Sequence, residues 1–393
     1  GFTALGVGVV TGTHNIAIGG NAADAVTTGA EVVAIGRNAY GTAAAGSCNV
    51  AIGNAAMGGS LVTGTNNIAM GTNALCAVLA GSQNIAIGDL AADALTSGQY
   101  NVAVGSYALG ASVGGSHNTA LGYYALSGGN TSGASNIAIG QNAMDALTSG
   151  HSNIAIGKAA FGAATIGIKN IIIGCNAANG ITTGQADENV AIGTYALTGN
   201  ASTSGNRNVA IGYNTIASVT TGNDNIALGT TSMDALTTGA CNIAMGINAY
   251  GTAAAGTRNI AIGDVAMGGS LVTGTENIAI GMQSLDALLG GNSNIALGSA
   301  ALGAVTTGHG NIGIGSGAGQ GVTTQGCVIN IGAAMNQTTA SVTCIGGGCL
   351  MSTQFTATSD CRSKKNIKDL PYGLSFINLL RPVSYKWKPQ QDK

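Results

Sequence analysis

Charged and aromatic residues are scarce in this chain. Only 7% of its 393 residues are charged and only 4% are aromatic, with three prolines and one tryptophan. This composition argues against an ordinary globular enzyme. Gly, Asn and Thr interrupt every hydrophobic stretch, so the sequence contains no apolar run of the roughly 18 residues that a membrane-spanning helix needs. The sequence begins at Gly1 without a signal-peptide pattern, so we expect the natural N-terminus and any export signal to lie upstream.

Glycine and aliphatic residues are abundant instead. The chain has 66 glycines, and 45% of its residues are hydrophobic, with Ile, Val, Leu and Met placed at regular intervals. That much apolar surface excludes a disordered chain. Because the glycines are so frequent, we expect a core that is thin and repeated rather than a single large one.

A pentad repeat organises most of the sequence. NIAIG, at 15–19, returns every 17 or 18 residues, with a step of 19 at two places, and gives nineteen units. A twentieth pentad, VTCIG, arrives early and ends at Gly346. The closing glycines of the nineteen units are Gly19, Gly36, Gly53, Gly71, Gly88, Gly105, Gly122, Gly140, Gly157, Gly174, Gly193, Gly212, Gly229, Gly246, Gly263, Gly281, Gly298, Gly315 and Gly332.

The pattern inside each unit predicts β-structure. Ile16 and Ile18 flank Ala17, which is the period-two alternation of a strand with one buried face. Glycines three residues before the pentad and at its end allow corners. A small residue followed by a larger apolar one, as in Ala56 and Met57, predicts a second short strand. Each unit is therefore predicted as strand, corner, second strand, corner.

Stacking of these units predicts an all-β fold, a parallel β-solenoid or β-roll of about 19 coils of 17–18 residues over 1–346. At the usual strand spacing this shaft is about 90 Å long. Stacked asparagines at the pentad start should form a hydrogen-bonded ladder along the axis. We assign structural roles to Asn15, Gly19, Asn49, Gly53, Asn84, Gly88, Asn153, Gly157, Asn259 and Gly263. Exact copies at 38–46 and 248–256 support growth by duplication.

Residues that could carry other chemistry are dispersed. The histidines His14, His117, His151 and His309 fall in separate coils, so we predict no metal site. Repeated acidic residues, at Asp93, Asp145, Asp234 and Asp286, are interpreted as solvated corners or local hydrogen bonds rather than catalytic pairs. The eight cysteines contain no C-x-x-C and are expected to be buried free thiols, with a bridge between Cys344 and Cys349 as the alternative. We predict no cofactor.

The tandem GxxNIAIGxxAL units resemble those of bacteriophage tail fibres and, more distantly, the heads of trimeric autotransporter adhesins. The resemblance covers about residues 6–346. It implies a left-handed parallel β-roll that assembles into a homotrimeric fibre, although the adhesin coils are generally shorter than those of this chain. Small Ala and Gly positions would allow three copies to pack closely around an axis.

The last 35 residues differ in character from the repeats. Residues 1–358 carry five basic and twelve acidic side chains, whereas 359–393 carry eight basic and three acidic ones and all three prolines. This shift predicts a boundary near Ser359, with 347–358 as a cap or linker and 359–393 as a short α/β segment. The run SDCRSKKNIKDLPYGLSFINLLRPVSYKWK resembles the opening of the intramolecular chaperone domain of endosialidases and other phage tail spikes.

This second resemblance implies a helper that aligns three chains while the slow-folding shaft forms. In self-cutting members of that family a serine and a lysine five residues later act at the junction. Ser359 and Lys364 match this spacing, with Asp360 just after the cut position. The resemblance therefore implies single-turnover self-cleavage, and the alternative is that Lys364 is a solvated basic residue. A lysine acts as a base only when its pKa is lowered by burial.

Taken with the composition, these resemblances favour a structural protein rather than an enzyme. We predict a virion tail fibre that binds a host-cell receptor or glycan and contacts other tail proteins. The first alternative is a secreted or surface filament or adhesin of a bacterium. The second is an ice-binding solenoid, suggested by the TTG turns, although the threonines lack a strict T-x-T row. An acidic, aromatic-poor shaft is not expected to bind nucleic acid.

Overall fold

The computed structural model describes residues 4–351 except 7–9, 130–131, 183–185, 200–203 and 347, and at 348–351 it describes the backbone alone. The chain divides into two units, Gly1–Leu350 and Met351–Lys393, and all nineteen repeats lie in the first. The predicted chaperone segment at 359–393 and most of the predicted linker at 347–358 lie outside the described residues.

Strands and turns make up the described part of the chain, which contains no helix. Nineteen three-residue strands lie one per repeat, and two further strands of four residues come after them. The strands are β1 (Ile16–Ile18), β2 (Val33–Ile35), β3 (Val50–Ile52), β4 (Ile68–Met70), β5 (Ile85–Ile87), β6 (Val102–Val104), β7 (Thr119–Leu121), β8 (Ile137–Ile139), β9 (Ile154–Ile156), β10 (Ile171–Ile173), β11 (Val190–Ile192), β12 (Val209–Ile211), β13 (Ile226–Leu228), β14 (Ile243–Met245), β15 (Ile260–Ile262), β16 (Ile278–Ile280), β17 (Ile295–Leu297), β18 (Ile312–Ile314), β19 (Ile329–Ile331), β20 (Val342–Ile345) and β21 (Gly348–Met351).

These strands stack in chain order as one parallel, in-register ladder. Between β1 and β2, Ile16 lies opposite Val33 and Ala17 opposite Ala34, and the same register continues to β20. Equivalent residues of successive coils therefore form columns along the ladder. The prediction of an all-β parallel solenoid of about 19 coils is confirmed.

The predicted second strand of each coil is wrong. In the first coil Asn21 and Ala23 have φ values of 55° and 51°, and the equivalent positions of the other coils repeat this pattern. A strand needs negative φ throughout, so residues that alternate into the left-handed region form a turn instead. Backbone hydrogen bonds still join successive coils there, as from Ala23 N to the Ala39 carbonyl at 2.9 Å.

The core is thin and built mainly from small residues. The central residue of most strands is a buried alanine, as at Ala34 and Ala51, and it meets the pair after the pentad, such as Ala56 and Met57. Phe161 is among the largest buried side chains. Methyl groups dominate the interior because one short coil encloses little volume.

Most units contain two glycines with different structural roles. The closing glycine has φ near +130°, as Gly157 does at +134°, a conformation that strains any residue with a Cβ. The glycine before the pentad, replaced by Ala186 and Gln325 in two units, does not have a left-handed φ except at Gly167, where φ is +149°. A Cβ at Gly29 would lie 2.6 Å from the carbonyl oxygen of Gly46 in the next coil, so close stacking of backbones selects glycine there.

Candidate assembly face

A ladder of buried asparagines lies beside the strands. Asn67 donates from Nδ2 to the Gly81 carbonyl at 2.9 Å and to Asn49 Oδ1 at 3.1 Å. Its own Oδ1 accepts from the backbone N of Asn84 at 3.0 Å. Asn153 and Asn259 take the same place in their coils, and Asn15 is partly buried at the first coil. These side chains bridge successive coils and leave no polar group toward a ligand.

The outward side of the strands is aliphatic. The alternation in the pentad predicts one buried face, and the structure buries the alanine side, so the branched residues point away from the core. Among the 38 outward positions of β1–β19, all but Thr119 hold Ile, Val, Leu or Met. We call this surface the aliphatic face. The alanines lie inside each coil, so the expectation that they pack copies around an axis is wrong.

The aliphatic face stays substantially open to solvent despite the stacking. Ile226 and Leu228, in the middle of the ladder, are 44% and 40% exposed. With 19 strands and about 10 Å of width, the face is on the order of 900 Å². The largest apolar patch on a typical monomer is about 300–600 Å², and larger ones mark interaction sites. This one has about the area that a standard protein interface buries on each partner.

Two polar columns border the aliphatic face. The leading edge consists of the residue two positions before each of the strands β1–β19, from His14 to Cys327, and nearly all of these are exposed. The trailing edge consists of the residue two positions after each strand, from Gly20 to Ala333, and is mostly polar. An apolar centre with a polar rim is the usual anatomy of a protein interface.

Charges on the leading edge pair along the column. Arg207 donates to both carboxylate oxygens of Asp224 at 2.6 and 2.9 Å, and this hydrogen bonding lowers the pKa of Asp224. Lys169 pairs with Glu188 at 3.2 Å, and Arg258 with Glu276 at 3.4 Å. Because all of these side chains are exposed, water and salt screen their attraction and each pair adds little to stability.

Aromatic rings gather at both edges in the sixth and seventh coils. On the leading edge, Tyr100 stacks on His117 with ring centroids 4.9 Å apart. Tyr123 is on the trailing edge, and Tyr107 and Tyr124 come directly after trailing-edge positions; Tyr107 stacks on Tyr124 at 4.7 Å, and Tyr123 meets Tyr124 edge-on at 4.5 Å. A further pair, Tyr195 and Tyr213, lies at the trailing side of the eleventh and twelfth coils, but among the described coils only the sixth and seventh have rings at both edges.

The acidic residues of the repeat make local contacts. Asp145 accepts a hydrogen bond from Asn142 Nδ2 at 2.7 Å. Burial raises the pKa of Asp93, Asp234 and Asp286. Each lies in a separate coil, so no two of them form a carboxylate pair. The described residues contain no group of three or more His, Cys, Asp or Glu side chains that could hold a metal ion, and no helix long and apolar enough to cross a membrane.

The cysteines depart from the expectation of buried free thiols. Cys48, Cys175, Cys241 and Cys327 are free but exposed, and Cys76 is free and half-buried. Exposure results from their positions, since Cys48, Cys241 and Cys327 stand on the leading edge and Cys175 on the trailing edge. Cys344 is disulfide-bonded. Cys349 and Cys361 lie outside the residues whose side chains the structure describes.

The predicted self-cleavage residues Ser359, Asp360 and Lys364 also lie outside the described residues. The aliphatic face, in contrast, was missed in the sequence. Its signal was present, because the central residue of the pentad is small in nearly every unit and a thin coil holds mainly small side chains, with Ile172 of β10 as an inward exception.

Comparison with known families identifies the C-terminal segment alone. Residues 359–393 match the family described as chaperone of endosialidase. No curated protein matches the chain. The chain therefore carries a chaperone-of-endosialidase domain at its C-terminus, after a parallel β-solenoid. That family implies assembly into trimers.

Proposed function

We propose that this protein is a structural fibre of a virion, a homotrimer whose three solenoids pack through their aliphatic faces. The observation that carries the proposal is the face itself. It is an in-register ladder of aliphatic side chains at the strand spacing, and another copy of the same ladder offers the matching spacing along its length.

The C-terminal domain supports the same proposal. A chaperone that brings three chains together would place the three aliphatic faces side by side, so that they bury one another as the shaft folds and do not stay exposed to solvent. Parallel strand ladders form slowly, and their unpaired terminal strands can aggregate with other chains during folding. Early alignment of the three chains would reduce that risk. We further propose that the domain cuts the chain once between Ser359 and Asp360, with Lys364 as the base.

Attachment to a host-cell receptor or glycan is the proposed role of the fibre, which would be located in the virion tail with other tail proteins. With the aliphatic faces turned inward and the polar columns between neighbouring copies, the turns would form the outer surface. A bacterial surface filament would use the same assembly, and we retain it as the second candidate because the repeats also resemble adhesin heads.

An ice-binding role is disfavoured by the use of the threonines. Thr148 donates from Oγ1 to the Thr165 carbonyl at 2.8 Å, and Thr165 donates to the Thr182 carbonyl at 2.9 Å. Thr220 and Thr237 bond to the next coil in the same way. These hydroxyl donors stabilise the stacking of coils. Absence of ice-recrystallisation inhibition by the purified protein would exclude this role.

The proposal is tested by expressing the gene to its natural stop codon and measuring native and denatured masses. A native mass of three shafts is expected, with a denatured chain ending at Ser359. Ser359→Ala should retain the full-length mass while remaining trimeric. A native mass of one chain would contradict the fibre proposal, and an uncut wild-type chain would contradict self-cleavage alone.

Attachment needs a separate measurement. The trimer, labelled with a fluorophore, should bind a subset of intact bacterial strains in a panel, and periodate oxidation of the cells should abolish binding where a glycan is the receptor. Unaltered binding after periodate would point to a protein receptor. Binding to no strain of a panel that includes the host of the virus would contradict the attachment role.

A further inference from the structure

The two edges of the aliphatic face do not contact each other within one copy. The leading-edge residue and the trailing-edge residue of a coil are six positions apart, and the three-residue strand between them alone spans about 10 Å. The contacts of the edges run along the columns instead. Arg37 donates to Asn54 on the trailing edge at 3.3 Å, and Cys48 donates to Glu31 on the leading edge at 3.4 Å. A side chain on one edge can therefore contact a side chain of the other edge only when that edge belongs to another molecule.

Where both edges of a coil are charged, the two charges have opposite signs. Two coils carry a charged residue at both edges. In the second coil the leading edge has Glu31 and the trailing edge Arg37, and in the fifteenth coil the leading edge has Arg258 and the trailing edge Asp264. The signs are opposite in both coils, and they are reversed between the two coils. A shift of one coil in either direction would lose both matches.

The aromatic residues show the same agreement. Tyr100 and His117, stacked on the leading edge, lie in the sixth and seventh coils. Tyr123 is on the trailing edge of the seventh coil, and Tyr107 and Tyr124 directly follow the trailing-edge positions of those same two coils. Both edges are thus aromatic at one level of the solenoid, where rings from two molecules could stack or meet edge-on.

We propose that neighbouring copies meet leading edge to trailing edge at the same coil, without axial stagger. Glu31 of one copy then faces Arg37 of the next, and the aromatic level and the Arg258–Asp264 level coincide around the fibre. Such a head-to-tail contact between different edges closes into a ring when repeated, as a three-fold assembly requires. The aliphatic faces drive association in this arrangement, and the edges select its register.

This inference rests on the proposed trimer and sharpens it, because the aliphatic face alone does not specify register. Its columns of Ile and Val repeat every coil, so three copies that slip past one another by one coil, and thereby lose exact three-fold symmetry, would bury nearly the same apolar area. A slip of that kind is a known hazard of uniform strands. Only the sparse, non-repeating residues on the edges distinguish the aligned assembly from the slipped ones.

Native cysteines make the register measurable. Cys48 stands free and exposed on the leading edge of the third coil, and Asn54 is the trailing-edge residue of that coil. In full-length protein with Cys76, Cys175, Cys241 and Cys327 replaced by Ser, three variants are compared. Asn54→Cys tests the same coil, while Arg37→Cys and Thr72→Cys test a shift of one coil in each direction.

Each variant is first shown to have the native mass of three chains and is then oxidised with copper phenanthroline and run on a denaturing, non-reducing gel. A disulfide needs Cα atoms about 4.4–6.8 Å apart, and one coil adds about 4.8 Å of axial offset. We expect Asn54→Cys to give covalent three-chain species at least five-fold more efficiently than either shifted variant. In a second background that keeps Cys241 and replaces Cys48 by Ser instead, Ile247→Cys should behave likewise in the fourteenth coil.

Equal cross-linking of the three variants, none in any, or a preference for a shifted one would overturn the aligned register while leaving the trimer intact. A native mass of one chain would instead overturn the trimer, and the register with it. Cross-links within one chain would migrate as monomer and would contradict the separation of the two edges.

Discussion

The buried asparagines make each coil depend on its neighbours for polar satisfaction. Asn67 supplies donors to Asn49 and Gly81 and an acceptor to Asn84. These groups lie out of reach of water, where an unpaired donor or acceptor costs about 1–3 kcal/mol. In the second coil Val32 replaces asparagine, and its backbone N still donates to Asn15 Oδ1 at 2.9 Å. The ladder therefore tolerates an interruption more readily at a coil near its end.

Asn67→Ala should destabilise the solenoid by roughly 2–4 kcal/mol, because it removes the side-chain bonds to Asn49 and Gly81 and leaves the Asn84 amide unpaired. Thermal unfolding and hydrogen exchange in the third to fifth coils measure the effect. Asn54→Ala is the control, since Asn54 is exposed and should change stability by less than about 0.5 kcal/mol. Equal effects of the two variants would contradict a structural role for the ladder.

Buried tyrosines make the solenoid sensitive to alkaline pH. Tyr40 donates to the Gly46 carbonyl at 2.7 Å and accepts from Asn49 at 2.9 Å, and burial raises its pKa from 10.0 to about 12. Burial raises the pKa of Tyr250, its counterpart in the duplicated segment, in the same direction. The folded chain thus holds a proton that the unfolded chain releases first, so stability is complete below pH 10 and falls as pH rises toward 12.

A Tyr40→Phe, Tyr250→Phe variant should lose most of this alkaline decline. At pH 8 it should be less stable than wild type by about 1 kcal/mol per lost hydroxyl, since each hydroxyl is hydrogen-bonded. Urea unfolding at pH 8, 10 and 11.5 compares the two proteins. An identical decline of both between pH 10 and 11.5 would show that other groups cause it.

Within a coil, the closing glycine determines whether one strand can lead into the turn. At Gly157 the φ of +134° excludes other residues, and a Cβ would lie 2.5 Å from the Gly174 carbonyl oxygen. Gly157→Ala should therefore destabilise the solenoid by roughly 2–4 kcal/mol through backbone strain and overpacking. Gly20 has nothing within 4 Å of a built Cβ, so Gly20→Ala should be nearly neutral in the same thermal unfolding experiment. Comparable losses from both would refute this account of the corner.

The sequence was sufficient to predict the strands but not the turns that follow them. Strands recur wherever the pentad does, because its alternation and spacing are local signals. The turn after the pentad reads as a strand because left-handed φ at residues such as Asn21 and Ala23 is stabilised by stacking on the next coil, which no local pattern encodes. Which side of the strand is buried was missed for another reason: Ile and Ala are both apolar, so only the small size of the central residue indicated the inward side.

The edges illustrate what only three-dimensional placement reveals. Glu31 and Arg37 are six residues apart in the sequence and look unrelated. Once the ladder stacks in register, they become equivalent positions on two continuous columns beside one apolar surface. Because the two columns border the same apolar surface, the opposite charges at the two edges of one coil could pair between copies.

For the whole solenoid, the aliphatic face is the feature that the structure of one chain leaves unexplained. Burying its 900 Å² or so at about 25 cal/mol per Å² would remove on the order of 20 kcal/mol of unfavourable hydration from each copy, an upper bound before the cost of association. Left open, a long apolar strand ladder invites aggregation. Three copies that cover one another would resolve both problems, and the C-terminal chaperone-of-endosialidase domain suits that outcome.

The most direct test substitutes the face and asks whether the copies separate. Ile68, Ile137 and Ile226, outward residues 37–44% exposed, are changed together to Lys, and the control changes Leu61, Leu79 and Leu271, which are at least as exposed but stand off the face. Sedimentation equilibrium should give three chains for wild type and control and one chain for the face variant, with unchanged circular dichroism. A face variant that remains trimeric, or a monomeric wild type, would contradict assembly through the aliphatic face.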